Sequence, residues 1–207
     1  MKLSYITFQR FLHCLSALKD DILQPQPHTV SVTAAPEVLP PVITEFLSES
    51  FHITLEAVDM LWDVVKEIVW VLPTEADECE AVETMFRLHG RERGLTALVL
   101  YPPNKTCSNP DCTALQHGSL LKKEEQRWVV VFTHANNAQC AWSVHLKCRL
   151  CHSNYHHNYV VRSGFRHYYA GVPKYLQVGE HQFVQYELGM QWMDLMQIAY
   201  VVRFYLH

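Results

Sequence analysis

Apolar side chains recur at helical spacing in two segments near the start of the chain. Residues 5–18 place them on one face, and residues 55–72 carry a broader stripe after Thr54, a suitable N-cap. The positions that we expect to be buried are Phe8, Phe11, Leu12, Leu15 and Leu18 in the first segment and Leu55, Val58, Leu61, Trp62, Val65, Ile68 and Val69 in the second.

Proline, threonine and glycine mark the ends of further helical segments. Pro41, the last of three prolines in the linker segment 28–41, can open a short helix. Thr74 can cap a helix with an acidic first turn, which ends at Gly90 or Gly94. We therefore expect a helical module over residues 1–94.

The pattern changes at Leu95 to short runs of β-branched and aromatic residues. Such runs are typical of strands, and the Asn136-Asn137 pair between two of them has turn chemistry. A helical pattern returns from about Gln182 to Tyr205. The predicted strands are 95–101, 127–133, 141–147 and 157–169, the last with a bend at Gly164.

Composition limits the class of protein. Hydrophobic residues make up 49% of the 207, which is enough for a packed core without disulfides, and the seven cysteines are an odd number. We find no secretory pattern and no run of about 18 apolar residues that could span a membrane. We therefore expect a soluble intracellular protein with reduced cysteines, no membrane contact and no small-molecule substrate.

Four of the cysteines form two closely spaced pairs. Cys107 and Cys112 have the spacing C-x4-C, and Cys148 and Cys151 have the spacing C-x2-C. Each pair lies where a predicted strand ends, and a predicted hairpin separates the two pairs. Because Zn²⁺ prefers four tetrahedral ligands, this arrangement predicts a zinc ribbon with one structural Zn²⁺.

The fold class is therefore predicted as α+β. The helical module (1–94) precedes a zinc-ribbon-like antiparallel β-sheet domain (95–179), and a C-terminal helix (180–207) closes the chain.

Other interpretations of the cysteines remain open. The four thiols could be reduced and partly buried, or Cys148 and Cys151 could be the dithiol of a thiol redox enzyme. Redox dithiols usually open a helix, however, whereas this pair lies between two predicted strands. Because four thiolates fill the zinc shell and no catalytic motif is present, we expect no enzyme activity. The nearby histidines are then surface residues or neighbours of the thiolates: His145, His152, His156 and His157.

Charge is sorted along the chain, although the formal net charge is only −4. Residues 126–179 contain no Asp or Glu, and they hold five tyrosines that could stack on bases. This segment is a candidate nucleic-acid surface, and the acidic helical half would oppose DNA. Its basic residues could instead balance the charge of a four-thiolate centre, or the chain could be a protein–protein interaction module. The candidate nucleic-acid-binding residues are Arg127, Lys147, Arg149, Arg162, Arg166 and Lys174.

Several segments, in this order, resemble a known family over about residues 39 to 190. They are "LPPVITEFL", "DMLWDVVKEIVW", "YPPNKTCSNPDC", "CRLCHSNYHHNYVV" and "QVGEHQFV". The chain resembles the cysteine-cluster domain found with KDZ-type transposases of mushroom-forming fungi, the fifth numbered class of those clusters.

The resemblance implies a zinc-binding module that takes part in DNA binding or transposase assembly in the nucleus. It gives the zinc to Cys107, Cys112, Cys148 and Cys151, and it carries no catalytic residue to this chain. The tail after about Met190 departs from the family pattern, and the chain resembles a fragment that stops before a transposase domain.

Overall fold

The helices of the first part of the chain follow the sequence pattern closely. The computed structural model describes residues 4–72 and 80–204. Thr54 caps its helix by accepting a hydrogen bond from the Ala57 N–H, as predicted, whereas the predicted cap Thr74 lies outside the described residues. The helices are α1 (Tyr5–Ala17), α2 (Lys19–Leu23), α3 (Pro41–Phe51), α4 (Leu55–Val71) and α5 (Glu80–Met85).

A π-helical turn (Phe86–Gly90) and a 3-10 turn (Arg91–Arg93) follow α5, and Gly94 ends them with φ 70°. The helices share one apolar core, in which Trp62 donates its indole N–H to the Pro36 carbonyl at 3.1 Å. Leu55 and Ile68 were expected in this core but face solvent, because α4 is apolar on more than one side. No helix in the described ranges is both long and apolar enough to cross a membrane.

Eight strands form one sheet in the second part of the chain. Their order is β6-β5-β4-β3-β2-β8-β7, and β1 pairs with β3 outside this path. The β1–β3 and β2–β8 pairs are parallel and the others are antiparallel, so the α+β class is confirmed. The strands are β1 (Val99–Leu100), β2 (Lys122–Thr133), β3 (Asn137–Lys147), β4 (Asn154–Tyr155), β5 (Tyr159–Arg162), β6 (Phe165–Tyr168), β7 (Tyr175–Gly179) and β8 (Gln182–Gln185).

Two helices accompany the sheet. Helix α6 (Thr113–His117) lies between β1 and β2, and helix α7 (Tyr186–Phe204) follows β8. The predicted hairpin is β2 and β3, and Asn137 takes the left-handed conformation (φ 56°) at its turn, consistent with the turn chemistry of the sequence.

Two local predictions are wrong. The bend expected at Gly164 is a complete turn, because Ser163 and Gly164 both have positive φ (50° and 84°) and β6 folds back on β5. The helix expected from Gln182 begins only at Tyr186. The preceding residues form a second hairpin, β7 and β8, in which Phe183 and Val184 are buried.

A polar junction joins the helical part to the sheet part. The Tyr101 hydroxyl donates to Asp21 Oδ1 at 2.8 Å, and Lys105 Nζ lies 2.7 Å from Asp20 Oδ2. Burial raises the pKa of the Asp21 carboxyl to about 6, although the Tyr101 hydrogen bond and Lys123 act in the opposite direction. The junction therefore places an ionisable carboxylate where few donors other than Tyr101 reach it.

We expect Tyr101→Phe to lower the free energy of unfolding by about 1–3 kcal/mol, because the buried carboxylate loses its hydroxyl donor. Urea unfolding at pH 8, where the Asp21 carboxyl with its pKa of about 6 is ionised, measures the loss. Tyr5→Phe is the matched control at an exposed position, and we expect it to change stability by no more than about 0.5 kcal/mol. Equal effects of the two variants would contradict a structural role for the junction.

Candidate metal centre

The first cysteine pair lies in a sharp loop between β1 and α6. Cys112 is the residue before α6, and its N–H donates to the Asn109 carbonyl at 3.1 Å. The Asn109 side chain also accepts from the Asp111 N–H at 3.3 Å. Pro110 occupies the second position of this turn, where its fixed φ is favourable. The turn brings the Cys112 sulfur back toward Cys107, as the Asn-Pro pair in the sequence indicates.

The second cysteine pair lies in the turn between β3 and β4. The Cys148 N–H donates to the Ser153 carbonyl at 3.0 Å, and the His152 N–H donates to the Cys148 carbonyl at 3.1 Å. His152 closes the turn in the left-handed conformation, with φ 58°. We call each of these cysteine-bearing turns a knuckle: the first holds Cys107 and Cys112, and the second holds Cys148 and Cys151. The second knuckle lies between two strands, as the sequence predicted.

The structure brings the four cysteine sulfurs to one point. All four lie within 4.8 Å of one another. The Cys107 and Cys151 sulfurs are 3.6 Å apart, and the Cys112 and Cys148 sulfurs are 3.8 Å apart. Four sulfurs at a Zn–S distance of about 2.3 Å in a regular tetrahedron are about 3.8 Å apart. The arrangement therefore has the dimensions of a tetrahedral thiolate site.

Hydrogen-bond donors point at these sulfurs. The Tyr155 hydroxyl donates to Cys107 Sγ at 3.4 Å, and the Ser153 hydroxyl lies 3.2 Å from Cys151 Sγ. Backbone N–H groups of Leu150 and Cys151 reach Cys148. Such donors orient thiolates and reduce the cost of their negative charge.

The thiol pKa values differ because burial and hydrogen bonding compete. Burial raises the pKa of Cys148 to about 12, although the two backbone N–H groups oppose this shift. At Cys151 burial also raises the pKa, but the hydrogen bonds of Ser153 and Asn109 outweigh it and lower the pKa to about 6. A bound divalent cation would deprotonate all four, since a coordinating thiol loses its proton. The donor set thus fits a soft metal ion.

Other cysteines and histidines lie away from the centre. Cys14 is buried in the helical core, Cys140 is exposed on β3, and Cys79 lies outside the described residues. Among the residues described, no histidine joins the sulfur cluster. His157 instead has its Nδ1 atom 2.9 Å from the Tyr101 carbonyl. His145 and His156 face each other in a separate groove.

That groove, of about 740 Å³, runs along one face of the sheet. Burial lowers the pKa of His156 to about 4, helped by His145 and Arg166, and burial lowers the pKa of His145 as well. Both imidazoles are therefore uncharged at neutral pH. Arg166 lies 4.8 Å from the centre of the Tyr159 ring, and Glu125 lines the same groove, so that charges of both signs are present.

The six predicted nucleic-acid-binding residues lie at several positions around the sheet. Lys147 and Arg149 lie beside the second knuckle, whereas Arg127 and Arg166 line the groove. Arg162 donates to the Ser108 carbonyl at 3.3 Å, near the first knuckle. Lys174 lies over the ring of Tyr175, 5.6 Å from its centre. The acid-free segment of the sequence is thus dispersed over several surfaces.

Glutamates from outside that segment also approach its cations. Arg127 lies 2.6 Å from Glu125 and 3.6 Å from Glu180, and Lys147 lies 3.6 Å from Glu124. Charge that is sorted along the sequence is therefore partly neutralised in space.

Sequence analysis missed two residues near the centre. Tyr155 was counted among the tyrosines that could stack on bases, but it is fully buried and its hydroxyl serves Cys107. Lys122 lies just before the acid-free segment and was not singled out. Its pairing with Lys147 across β2 and β3 follows from strand register, which no local pattern in the sequence specifies.

The fold and the site together define a cysteine-cluster protein, in which two knuckles between strands deliver four sulfurs to one point. A family model described as "CxC5 like cysteine cluster associated with KDZ transposases" matches residues 95–205. The match covers more than half of the 207 residues, and the chain belongs to this family. No curated protein and no solved structure is significantly similar to the chain.

The matched region contains both knuckles and the whole sheet. It reaches residue 205, well beyond Met190, after which the sequence was expected to depart from the family pattern. The helical module lies outside the match, so the likeness noted for residues 39–94 stays a prediction.

We expect Tyr155→Phe to weaken metal binding about 10- to 100-fold, because Cys107 loses a hydroxyl donor while the buried ring is retained. Competition with a chromogenic chelator measures the affinity. Tyr168→Phe, at an exposed position, is the control. Equal affinity of the two variants would show that the hydroxyl does not support the site.

Proposed function

We propose that this chain is a non-catalytic module in which one structural Zn²⁺ holds the sheet and its two knuckles in place for DNA binding in a transposase-associated protein. The convergence of four cysteine sulfurs is the observation that supports the metal most strongly. Thiolates favour Zn²⁺ over hard cations such as Mg²⁺ and Ca²⁺. Four protein ligands leave no open position for a substrate or water, and a closed shell is typical of a structural site.

The DNA-binding part of the proposal rests on the family and on the cations of the sheet part. Lys147 and Arg149 lie next to the zinc ligands, where the knuckle fixes their backbone. If the chain binds DNA in this way, we expect to find it in the nucleus. We also expect a transposase domain to be its partner. A fluorescent fusion expressed in cells tests this location.

An interaction module without a nucleic-acid role is the second candidate, and helix α7 is the observation that favours it. The helix carries apolar side chains on all sides, and in the described structure it contacts chiefly β8. Its exposed apolar residues are Met190, Trp192, Met193, Leu195, Met196 and Ile198. Exposed apolar side chains in this number indicate an interaction surface, even though polar residues such as Gln191 and Asp194 lie among them.

Measuring the zinc content tests whether the four cysteines bind zinc. We expect protein purified without added metal to contain about one zinc per chain, and Cys148→Ser to lose most of it because three thiolates bind more weakly. Elemental analysis by mass spectrometry gives the ratio. Cys140→Ser is the control, since Cys140 is exposed and outside the cluster. Zinc near zero in the unmodified protein, or zinc unchanged by Cys148→Ser, would reject the metal.

Salt dependence tests the DNA role. We expect the logarithm of the affinity for random-sequence double-stranded DNA to fall linearly with the logarithm of salt concentration, by about 0.9 for each phosphate neutralised. Fluorescence anisotropy over a salt series measures this slope. An affinity too weak to detect at low salt, or one indifferent to salt, would favour the interaction module instead.

A further inference from the structure

A small basic cleft lies directly beside the second knuckle. Its volume is about 450 Å³, and it is lined by Lys122, Glu124, Lys147, Cys148, Arg149 and His152. The cleft is formed by the first residues of β2, the last residue of β3 and the knuckle itself. It adjoins the groove that holds His145 and His156, and Glu124 lines both.

The strand register places two lysines directly opposite each other at this cleft. Lys122 is the cross-strand partner of Lys147. Like charges at such positions repel and destabilise a sheet unless an anion lies between them. The register shifts between Lys123 and Glu125, so that Glu124 is the extra residue of a β-bulge.

The bulge brings the Glu124 carboxylate between the two lysines. Its oxygens lie 3.7 Å from Lys122 Nζ and 3.6 Å from Lys147 Nζ. Both distances exceed those of a hydrogen-bonded ion pair, and both lysines remain partly exposed. One carboxylate therefore holds two ammonium groups toward the same space without fully neutralising them.

The knuckle adds a third cation to the cleft. The Arg149 side chain forms no ion pair or hydrogen bond within the described part of the chain, and so its guanidinium is available. His152 lies on the same turn, with the left-handed backbone that closes it. Since Cys148 and Cys151 flank Arg149, binding of the metal fixes the backbone that carries this arginine.

The balance of charge favours an anion. Three cations and one carboxylate give the cleft a formal charge of +2, without counting His152. In the groove, by contrast, Arg127 is held by Glu125 at 2.6 Å and lies near Glu180. Phosphodiester oxygens bind well to such convergent Lys and Arg donors.

We propose that the cleft formed by Lys122, Lys147, Arg149 and His152 binds a backbone phosphate of double-stranded DNA, with Glu124 occupying the phosphate position between the lysines when DNA is absent. This assignment rests on the DNA-binding function proposed above, and it names the surface that makes the contact. The zinc knuckle positions one side of the cleft and the β-bulge positions the other.

Two triple variants with the same change of charge test the site. Lys122→Gln/Lys147→Gln/Arg149→Gln removes the cleft cations, and Arg127→Gln/Arg166→Gln/Lys174→Gln removes three predicted cations elsewhere. We expect the first triple to reduce the salt slope by about 1, because its three cations converge on one phosphate, and the second to leave it nearly unchanged. Zinc content and circular dichroism are measured for both, so that a folding defect is recognised.

Glu124→Gln should change DNA affinity in the opposite direction, and a gain in affinity is easier to interpret than a loss. The variant removes the competing carboxylate but keeps the shape of the bulge, and we expect DNA affinity to rise several-fold at low salt. A variant that only disturbs folding would lower affinity instead. Glu180→Gln, at an exposed carboxylate of the groove, is the matched control and should raise affinity much less.

The outcomes separate this assignment from the function on which it rests. If the unmodified protein shows no salt-dependent affinity for DNA, the DNA-binding function fails and the cleft assignment fails with it. If the protein binds DNA but the two triples behave alike, or the groove triple loses more, only the cleft assignment is overturned. Competition by polyglutamate that equals competition by DNA would identify an acidic protein as the partner and would also overturn it.

Discussion

The convergence of four sulfurs is the constraint on which the sheet part of this protein depends. Three of the four cysteines belong to the same buried cluster as Tyr101, Leu146 and Tyr155. This cluster is small, and the strands next to it, β1 and β4, have only two residues each. A metal held by both knuckles would tie the loop after β1 to the end of β3. A metal bound there would therefore add stability that the small apolar cluster alone does not supply.

Periodicity predicted α1 and α4 well because each of them buries one face against the shared helical core. Thr54 and Pro41 also marked helix starts through local chemistry that tertiary contacts did not override. Local patterns were less informative at the C-terminal side of the sheet. Strand β8 is short, and it pairs in parallel with the distant Val130–Phe132 segment, a contact that no window of sequence around Gln182 can reveal. The following helix extended the apparent helical pattern back into the strand.

At the site, too, local structure could be predicted from the sequence and long-range structure could not. Spacing singled out the four cysteines because a knuckle is a local structure, and the Asn109-Pro110 turn could be anticipated for the same reason. The surface around them could not be predicted from segment charge. Glu124 and Lys122 come from the start of β2, and only the pairing of β2 with β3 brings them beside Lys147. The charge around the site depends on how the strands pair, whereas each knuckle is formed by residues that are close together in the sequence.

The parallel pairing of β8 with β2 also has a consequence for how the chain acquires its structure. Val131 is fully buried, and the backbone edge beside it is covered only when residues 182–184 arrive. Before that moment the long β2–β3 hairpin presents an unpaired apolar edge, a template for association between chains. Contacts across such a sequence separation form slowly. Residues 182–185, which belong to neither cysteine pair, thus cover the apolar edge of the long hairpin once the chain has folded.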